Sequence, residues 1–333
     1  MVFSKQFSNI FPIFYHFIVF KLLIAYKSVI LKFDNTLTLK YNICMKCNIC
    51  PRHCNIDREN ETGFCKASNT IKIAKYMLHH WEEPIISGTK GSGAIFFSYC
   101  NLKCVYCQNA QISTNGQGKE VTINELVEII KKLENSGAHN INFVTPTHYT
   151  EQIIQALNIY KPSIPVVWNS SGYETAETIK RLKNLVDIYL VDMKYMDSNL
   201  SLNLSKAKDY PTKCSQAILE MRKNQPADVI ADGIMQKGII IRHLVLPSEV
   251  NNSFQVLDWI HDNLGTNTYI SIMSQYTPCH LALSMPKYNR PLKVIEYKRV
   301  INHINKLGFV NGFLQELNSA NECFIPDFEK FTD

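Results

Sequence analysis

Three cysteines in the stretch Cys100-Asn101-Leu102-Lys103-Cys104-Val105-Tyr106-Cys107 constrain this chain more than any other feature. Their C-x3-C-x2-C spacing follows directly on the apolar run Ala94-Ile95-Phe96-Phe97, which reads as a strand. Three thiolates on one short loop at a strand end lie close enough to grip one inorganic cluster. No fourth cysteine follows at short range. A [4Fe-4S] cube on three thiolates keeps one iron without a protein ligand, and an open position separates a reactive metal site from a closed structural one. That iron can chelate a small molecule through an amino and a carboxylate group. A zinc knuckle or scattered buried thiols are the competing readings, but zinc takes four ligands, commonly from paired C-x2-C units.

With Tyr106 as its aromatic, C-x3-C-x-aromatic-C resembles the signature of the radical S-adenosylmethionine (SAM) superfamily. The resemblance implies that the open iron binds the methionine end of SAM and that an electron from the cluster splits the sulfonium. A 5'-deoxyadenosyl radical then takes hydrogen from a substrate. It further implies an electron donor such as flavodoxin or ferredoxin. Cluster and SAM carry the radical chemistry in such a site, while the protein orients them and excludes water.

At 333 residues and 46% hydrophobic content the chain can bury a large core, as one barrel-sized domain or two smaller ones. Eleven cysteines in a chain of this length, clustered at metal spacings, point to a reducing cytosol, hence a cytoplasmic protein. Cys214, Cys279 and Cys323 stand alone and read as ordinary buried thiols. The formal charge of +6 is unevenly spread, because residues 1 to 44 hold five lysines against Asp34 alone. The remainder has no basic stripe, so nucleic acid is not an implied partner.

Residues 1 to 43 form an apolar, aromatic leader, with a charge-free run from Gln6 to Phe20. That run is short of the ~20 residues a spanning helix needs, and Pro12, Lys21 and Lys27 break it further, so a membrane span is not expected. The expected native start is Met45, with the upstream part a translated artefact or a peripheral membrane-seeking arm. From 44 to 90 a Cys-rich segment follows. Cys44, Cys47, Cys50 and Cys54 reproduce the ferredoxin spacing C-x2-C-x2-C-x3-C. Without Cys44 the ligands become Cys47, Cys50, Cys54 and Cys65, holding either zinc or a second Fe-S cluster, in a structural or an electron-relay role. His79 and His80 beside Trp81-Glu82-Glu83 could face the active site, but a histidine pair of this kind is more often structural or solvated.

Over 91 to 320 strands alternate with helices, followed by a tail at 321–333. Thr122-Ile123-Asn124-Glu125 is a capping box opening a helix with Leu126, Ile129, Ile130 and Leu133 on one face. Strands are expected at 94–98, 140–144, 165–168, 186–191, 238–245 and 269–273, with helices at 151–160, 175–185, 214–223, 254–264 and 291–307. The fold class is therefore α/β, a partial (β/α)6, TIM-like barrel with a small Cys-rich N-terminal segment. Chemistry in such folds sits beyond the strand C-termini. There the chain has Thr145-Pro146-Thr147-His148, Asn169-Ser170-Ser171-Gly172, Asp192-Met193-Lys194, Arg242-His243 and Gln275-Tyr276. Asp192 and Lys194, two apart on one strand, share a face.

These strand ends make the chain similar to glycyl-radical-enzyme activating enzymes, the family of the pyruvate formate-lyase activating enzyme, over residues 45 to 320. The similarity implies that Asn169, Ser170 and Asp192 lie near a monovalent cation and the SAM carboxylate, and that Lys194 binds that carboxylate. It places Arg242 and His243 against the ribose and methionine, Tyr106 near the adenine, and Gln275 and Tyr276 against substrate. Thr145 and Thr147 stand where relatives carry a Gly-Gly-Glu run that meets the SAM amino group, and Tyr99 stands where they carry glycine. The implied substrate is a glycyl-radical enzyme. A radical SAM enzyme modifying another protein or metabolite, and a non-catalytic Fe-S or zinc protein for electron transfer or binding, are the alternatives. No residue of the chain is singled out as a catalytic acid or base.

Overall fold

The computed structural model describes residues 46–316 and 326–332, whose ten strands join in one sheet. The leader at 1–43, Cys44, the proposed start at Met45, and residues 321–325, with Cys323, and 333 of the tail lie outside the described residues. Strand β1 (Ile71–His79) runs into a short helix α1 (Pro84–Ser87) and returns antiparallel as β2 (Ser92–Phe97). After α2 (Ala110–Ser113), β3 (Lys119–Val121) pairs with the outer edge of β1. Helix α3 (Ile123–Asn135) opens on Thr122 with the expected reciprocal cap to Glu125.

From there the chain alternates: β4 (Ile141–Val144), α4 (Thr150–Ile159), β5 (Val166–Ser170), α5 (Ala176–Arg181) and β6 (Ile188–Asp192). Two helices, α6 (Ser198–Ser205) and α7 (Tyr210–Asn224), precede a hairpin of β7 (Val229–Ala231) and β8 (Ile234–Leu244). Helix α8 (Val250–Leu264), β9 (Tyr269–Met273), α9 (Val294–Leu307) and β10 (Gly312–Leu314) complete the alternation. The strand order is β10-β9-β8-β6-β5-β4-β2-β1-β3, parallel from β2 to β10. β10 and β3 are the two ends of this order, so the sheet is an open, partial barrel rather than a closed one.

The pleat divides the parallel strands between two environments. Phe143, Trp168, Tyr189, Val191, Ile241 and Ile272 join the main core with the helices. Their neighbours face the other way, where Val167, Ile188, Leu190 and Ile240 pack on Ile86 of α1. Ile86 is fully buried, so α1 acts as a floor beneath the barrel interior. Residues 326–332 lie along β1 and β2, with Tyr76 N–H bonded to Phe331 O at 3.0 Å and the Phe328 ring against Phe96.

Three expectations change. Six barrel strands become seven, because the three-residue β10 is too short to show a period of its own. Residues 69–98, which read in the sequence as short strands and turns, include one nine-residue strand, β1. Helix α6 was not expected, since Ser-Asn-Leu-Ser-Leu-Asn-Leu-Ser is rich in poor helix formers. It is started by Asp197, whose carboxylate accepts from Asn199 N–H and Leu200 N–H. Among the described residues no helix is long and apolar enough to cross a membrane.

Candidate active site

Strand β2 delivers the cysteine loop to the C-terminal mouth of the barrel through a sharp backbone reversal at Tyr99, whose φ is +73°. A side chain in that left-handed region is strained, and glycine is the residue that adopts it freely. The turn is fixed by Tyr99 N–H bonding Ile112 O at 2.9 Å. Further along, Val105 N–H reaches Leu204 O at 2.8 Å and Ala282 N–H reaches Val105 O at 2.9 Å. The loop is thus pinned between α2, α6 and the segment after β9.

Cys100, Cys104 and Cys107 are free thiols. Each has a polar neighbour: Leu102 N–H lies 3.4 Å from Cys100 Sγ, Ser205 Oγ 3.0 Å from Cys104 Sγ and Ser113 Oγ 3.2 Å from Cys107 Sγ. Burial, then the neighbouring Cys104, pushes the Cys100 thiol up to about 12, and burial raises Cys104 as well. Thiols so placed ionise only against a strong local positive charge, which a bound cluster provides. Among the described residues, no set of three or more His, Cys, Asp or Glu side chains is drawn together tightly enough to hold a single metal ion. Cluster thiols need not converge in that way, because several metal atoms lie between them. An all-thiol donor set with hydrogen-bond donors at the sulfurs suits iron–sulfur ligation.

Below the loop lies a cavity of about 370 Å³, lined by Cys104, Tyr106 and Cys107 at the mouth. Its centre is an ion network. Asp192 accepts from Lys194 Nζ at 2.6 Å and from Arg242 Nε at 2.8 Å. Arg242 also donates to Glu82 at 3.1 Å and to Asn169 Oδ1 at 2.6 Å, while Glu82 Oε1 accepts from Asn142 and Asn169. These charges are largely shielded, the four side chains being 9 to 17% exposed. Burial works to raise Asp192, but Arg242 and then Lys194 outweigh it and its pKa stands below the usual carboxylate value. Burial likewise opposes the charge on Lys194, yet Asp192 carries its pKa upward, so it remains an ammonium. Burial raises Glu82 and Glu83, the latter with Oε2 unpartnered, and takes His79 down to about 4.

Of the residues singled out in the sequence, Cys104, Cys107, Tyr106, Asn169, Asp192, Lys194, Arg242, Gln275 and Tyr276 line this cavity. Tyr106 is committed in part to another partner, its hydroxyl 2.5 Å from that of Tyr195. Four residues expected to meet SAM are placed elsewhere. His243 follows Arg242 on β8 and so points to the opposite face, where its ring bonds Met193 O at 2.7 Å and Ser253 Oγ at 2.9 Å. Ser170 turns outward after Asn169 for the same reason, donating to Glu174 at 2.7 Å. Thr145, at φ +58°, is not part of the lining, and Thr147 donates to Glu174 Oε1 at 3.0 Å. Asn169, Ser170 and Asp192 accordingly do not converge on a monovalent cation, and the Arg242 guanidinium bridges the first and last instead. The sequence reading missed Glu82, Glu83, Ser271 and Gln315 in the lining. A Glu-Glu-Pro step between two apolar strands was the one available signal for the first two. Cys47, Cys50, Cys54 and Cys65 surround a second, smaller cavity.

A cysteine loop opening onto a charged cavity at the mouth of a partial parallel barrel places the chain among cluster-bearing α/β barrels. The family model described as Radical SAM superfamily matches residues 94–236. "Uncharacterized protein MJ0674" of Methanocaldococcus jannaschii is 33% identical over 286 residues, covering 82% of this chain and 78% of the relative. "Uncharacterized protein MJ0808" of the same organism is 26% identical over 278 residues, covering 77% of each. The chain belongs to the radical SAM superfamily, whose members use a [4Fe-4S] cluster and SAM. Among solved structures, Streptococcus suis SuiB bound to precursor peptide SuiA is similar at 13% identity and a TM-score of 0.46. That match covers 67% of this chain and 48% of SuiB, so the chain spans about half the length of that structure.

Proposed function

We propose that this protein is an enzyme that cleaves SAM reductively and abstracts hydrogen from a substrate held in the barrel cavity. The observation carrying this reading is that Cys104, Cys107 and the Asp192–Lys194–Arg242 network open onto one cavity. Cys100, Cys104 and Cys107 would hold the cluster, which with SAM supplies the reductive cleavage and the 5'-deoxyadenosyl radical.

The chain's own residues bind and orient. Lys194, kept charged by Asp192, donates to a carboxylate as a charge-assisted bond. Glu83, in the same lining with its Oε2 unpartnered, offers an acceptor to an ammonium group such as that of the methionine end of SAM. Ile86 and its apolar partners close the floor against water, which protects a radical from quenching. Gln275, Met273 and Tyr276 form a wall available to substrate.

The activase-like reading, with a glycyl-radical enzyme as target and flavodoxin or ferredoxin as electron donor, rests on the similarity of the strand ends. Modification of another protein or of a metabolite is its alternative. The test is anaerobic incubation of cluster-loaded protein with dithionite and SAM. 5'-Deoxyadenosine and methionine are expected together, and their absence from fully loaded protein refutes the reading. A carbon-centred doublet in EPR after adding a glycyl-radical enzyme assigns the target class, and its absence with every such partner tried removes the activase part alone.

A further inference from the structure

The Cys-rich segment is joined to the cluster loop at several points. Arg52 donates to Asn101 O at 2.9 Å and to Ser205 O at 3.4 Å, and also bonds Lys206 O. Its guanidinium lies over the Phe64 ring at 3.6 Å and near Tyr173 at 4.9 Å. Arg58 donates to Ser68 O, Ala67 O and His148 O. Between these arginines, Cys47, Cys50, Cys54 and Cys65 all line one cavity of about 10 Å³, with Arg52, His53, Arg58 and His148 beside them and no carboxylate in the lining.

From this arrangement we infer that Cys47, Cys50, Cys54 and Cys65 hold a second iron–sulfur cluster, closed by four protein thiolates. Three observations carry the inference. The cationic lining suits the negative charge of a tetrathiolate centre. The thiols ring a void large enough for one water, whereas a zinc ion drawing four sulfurs to about 2.3 Å leaves no such space. Nor are three of them tight enough for a single ion, among the described residues.

The test is metal analysis of the full chain carrying Cys100→Ala, Cys104→Ala and Cys107→Ala together, reconstituted without oxygen. Roughly four irons and four sulfides per chain should remain, with a visible absorption band bleached by dithionite. One zinc without iron, or no bound metal, overturns the inference. Should that variant fail to fold, Cys50→Ser in the otherwise unaltered chain halves the iron from roughly eight per chain while leaving the SAM-sensitive EPR signal of the first cluster. An unchanged iron content overturns the inference equally. Because the first cluster is absent from the triple variant, the outcome there is independent of whether SAM is cleaved.

Discussion

Replacing Lys194 with Met removes the cation assigned to the SAM carboxylate while leaving the rest of the network in place. Lys194 Nζ has Asp192 as its partner at 2.6 Å, and Asp192 keeps Arg242 Nε at 2.8 Å when the lysine is gone. No charge is therefore stranded, and the expected stability loss stays under about 2 kcal/mol, well short of what breaking a buried pair outright costs. Binding should suffer more. A hydrogen bond to a charged group contributes about 1.5–3 kcal/mol, which corresponds to a 10- to 150-fold weaker Kd for SAM. Anaerobic equilibrium dialysis of labelled SAM against cluster-loaded protein measures it, with thermal unfolding as the control for folding. Lys194→Arg, which keeps the charge, should recover most of the affinity. A Met variant that is folded, loaded and binds SAM within twofold of the parent refutes the assignment of Lys194.

Other outcomes follow from the same geometry. Arg242→Met leaves Glu82 without its cation and Asp192 with one of two, so stability should fall by about 3–5 kcal/mol. The melting temperature then drops on the order of 10 °C, and a loss below about 1 kcal/mol contradicts the network as drawn. Glu174 is buried and its pKa raised by that burial, although Trp168, Ser170 and Thr147 all donate to it. A carboxyl whose folded pKa exceeds its unfolded value of 4.5 contributes stability below that value and loses it as pH rises through the folded pKa. The urea midpoint of the parent should accordingly fall relative to that of Glu174→Gln from acid toward neutral pH, and parallel profiles contradict the assignment. Ile86→Ala opens the floor and should cost about 2–5 kcal/mol in urea unfolding. A cost near zero would mean that α1 does not seal the barrel.

Much of this was legible because it is local. The cysteine loop, the Thr122 cap and the alternation of β4 to β9 with their helices are each written in a dozen consecutive residues. β10 was hidden, since its three residues gain their identity from pairing with β9, some forty positions earlier. In the site, Asp192, Lys194 and Arg242 were readable as strand-end charges. His243 and Ser170 were drawn in with their neighbours, although adjacent strand residues face opposite sides. Glu82 was beyond local reading: its partner Arg242 is 160 positions away, brought to it by the chain passing beneath the barrel after β1. Tyr99 is a case where structure explains a departure, because the left-handed turn is needed whichever residue stands there.

The claim on which the account turns is that the three-cysteine loop leaves one iron open to SAM. EPR of the dithionite-reduced protein, recorded with and without SAM labelled with ¹⁷O in its carboxylate and ¹⁵N in its amino group, addresses it directly. The account predicts altered g-values on adding SAM and hyperfine couplings from both labels, lost in Cys104→Ala. Superimposable spectra with and without SAM, in protein shown to carry the first cluster, would contradict it.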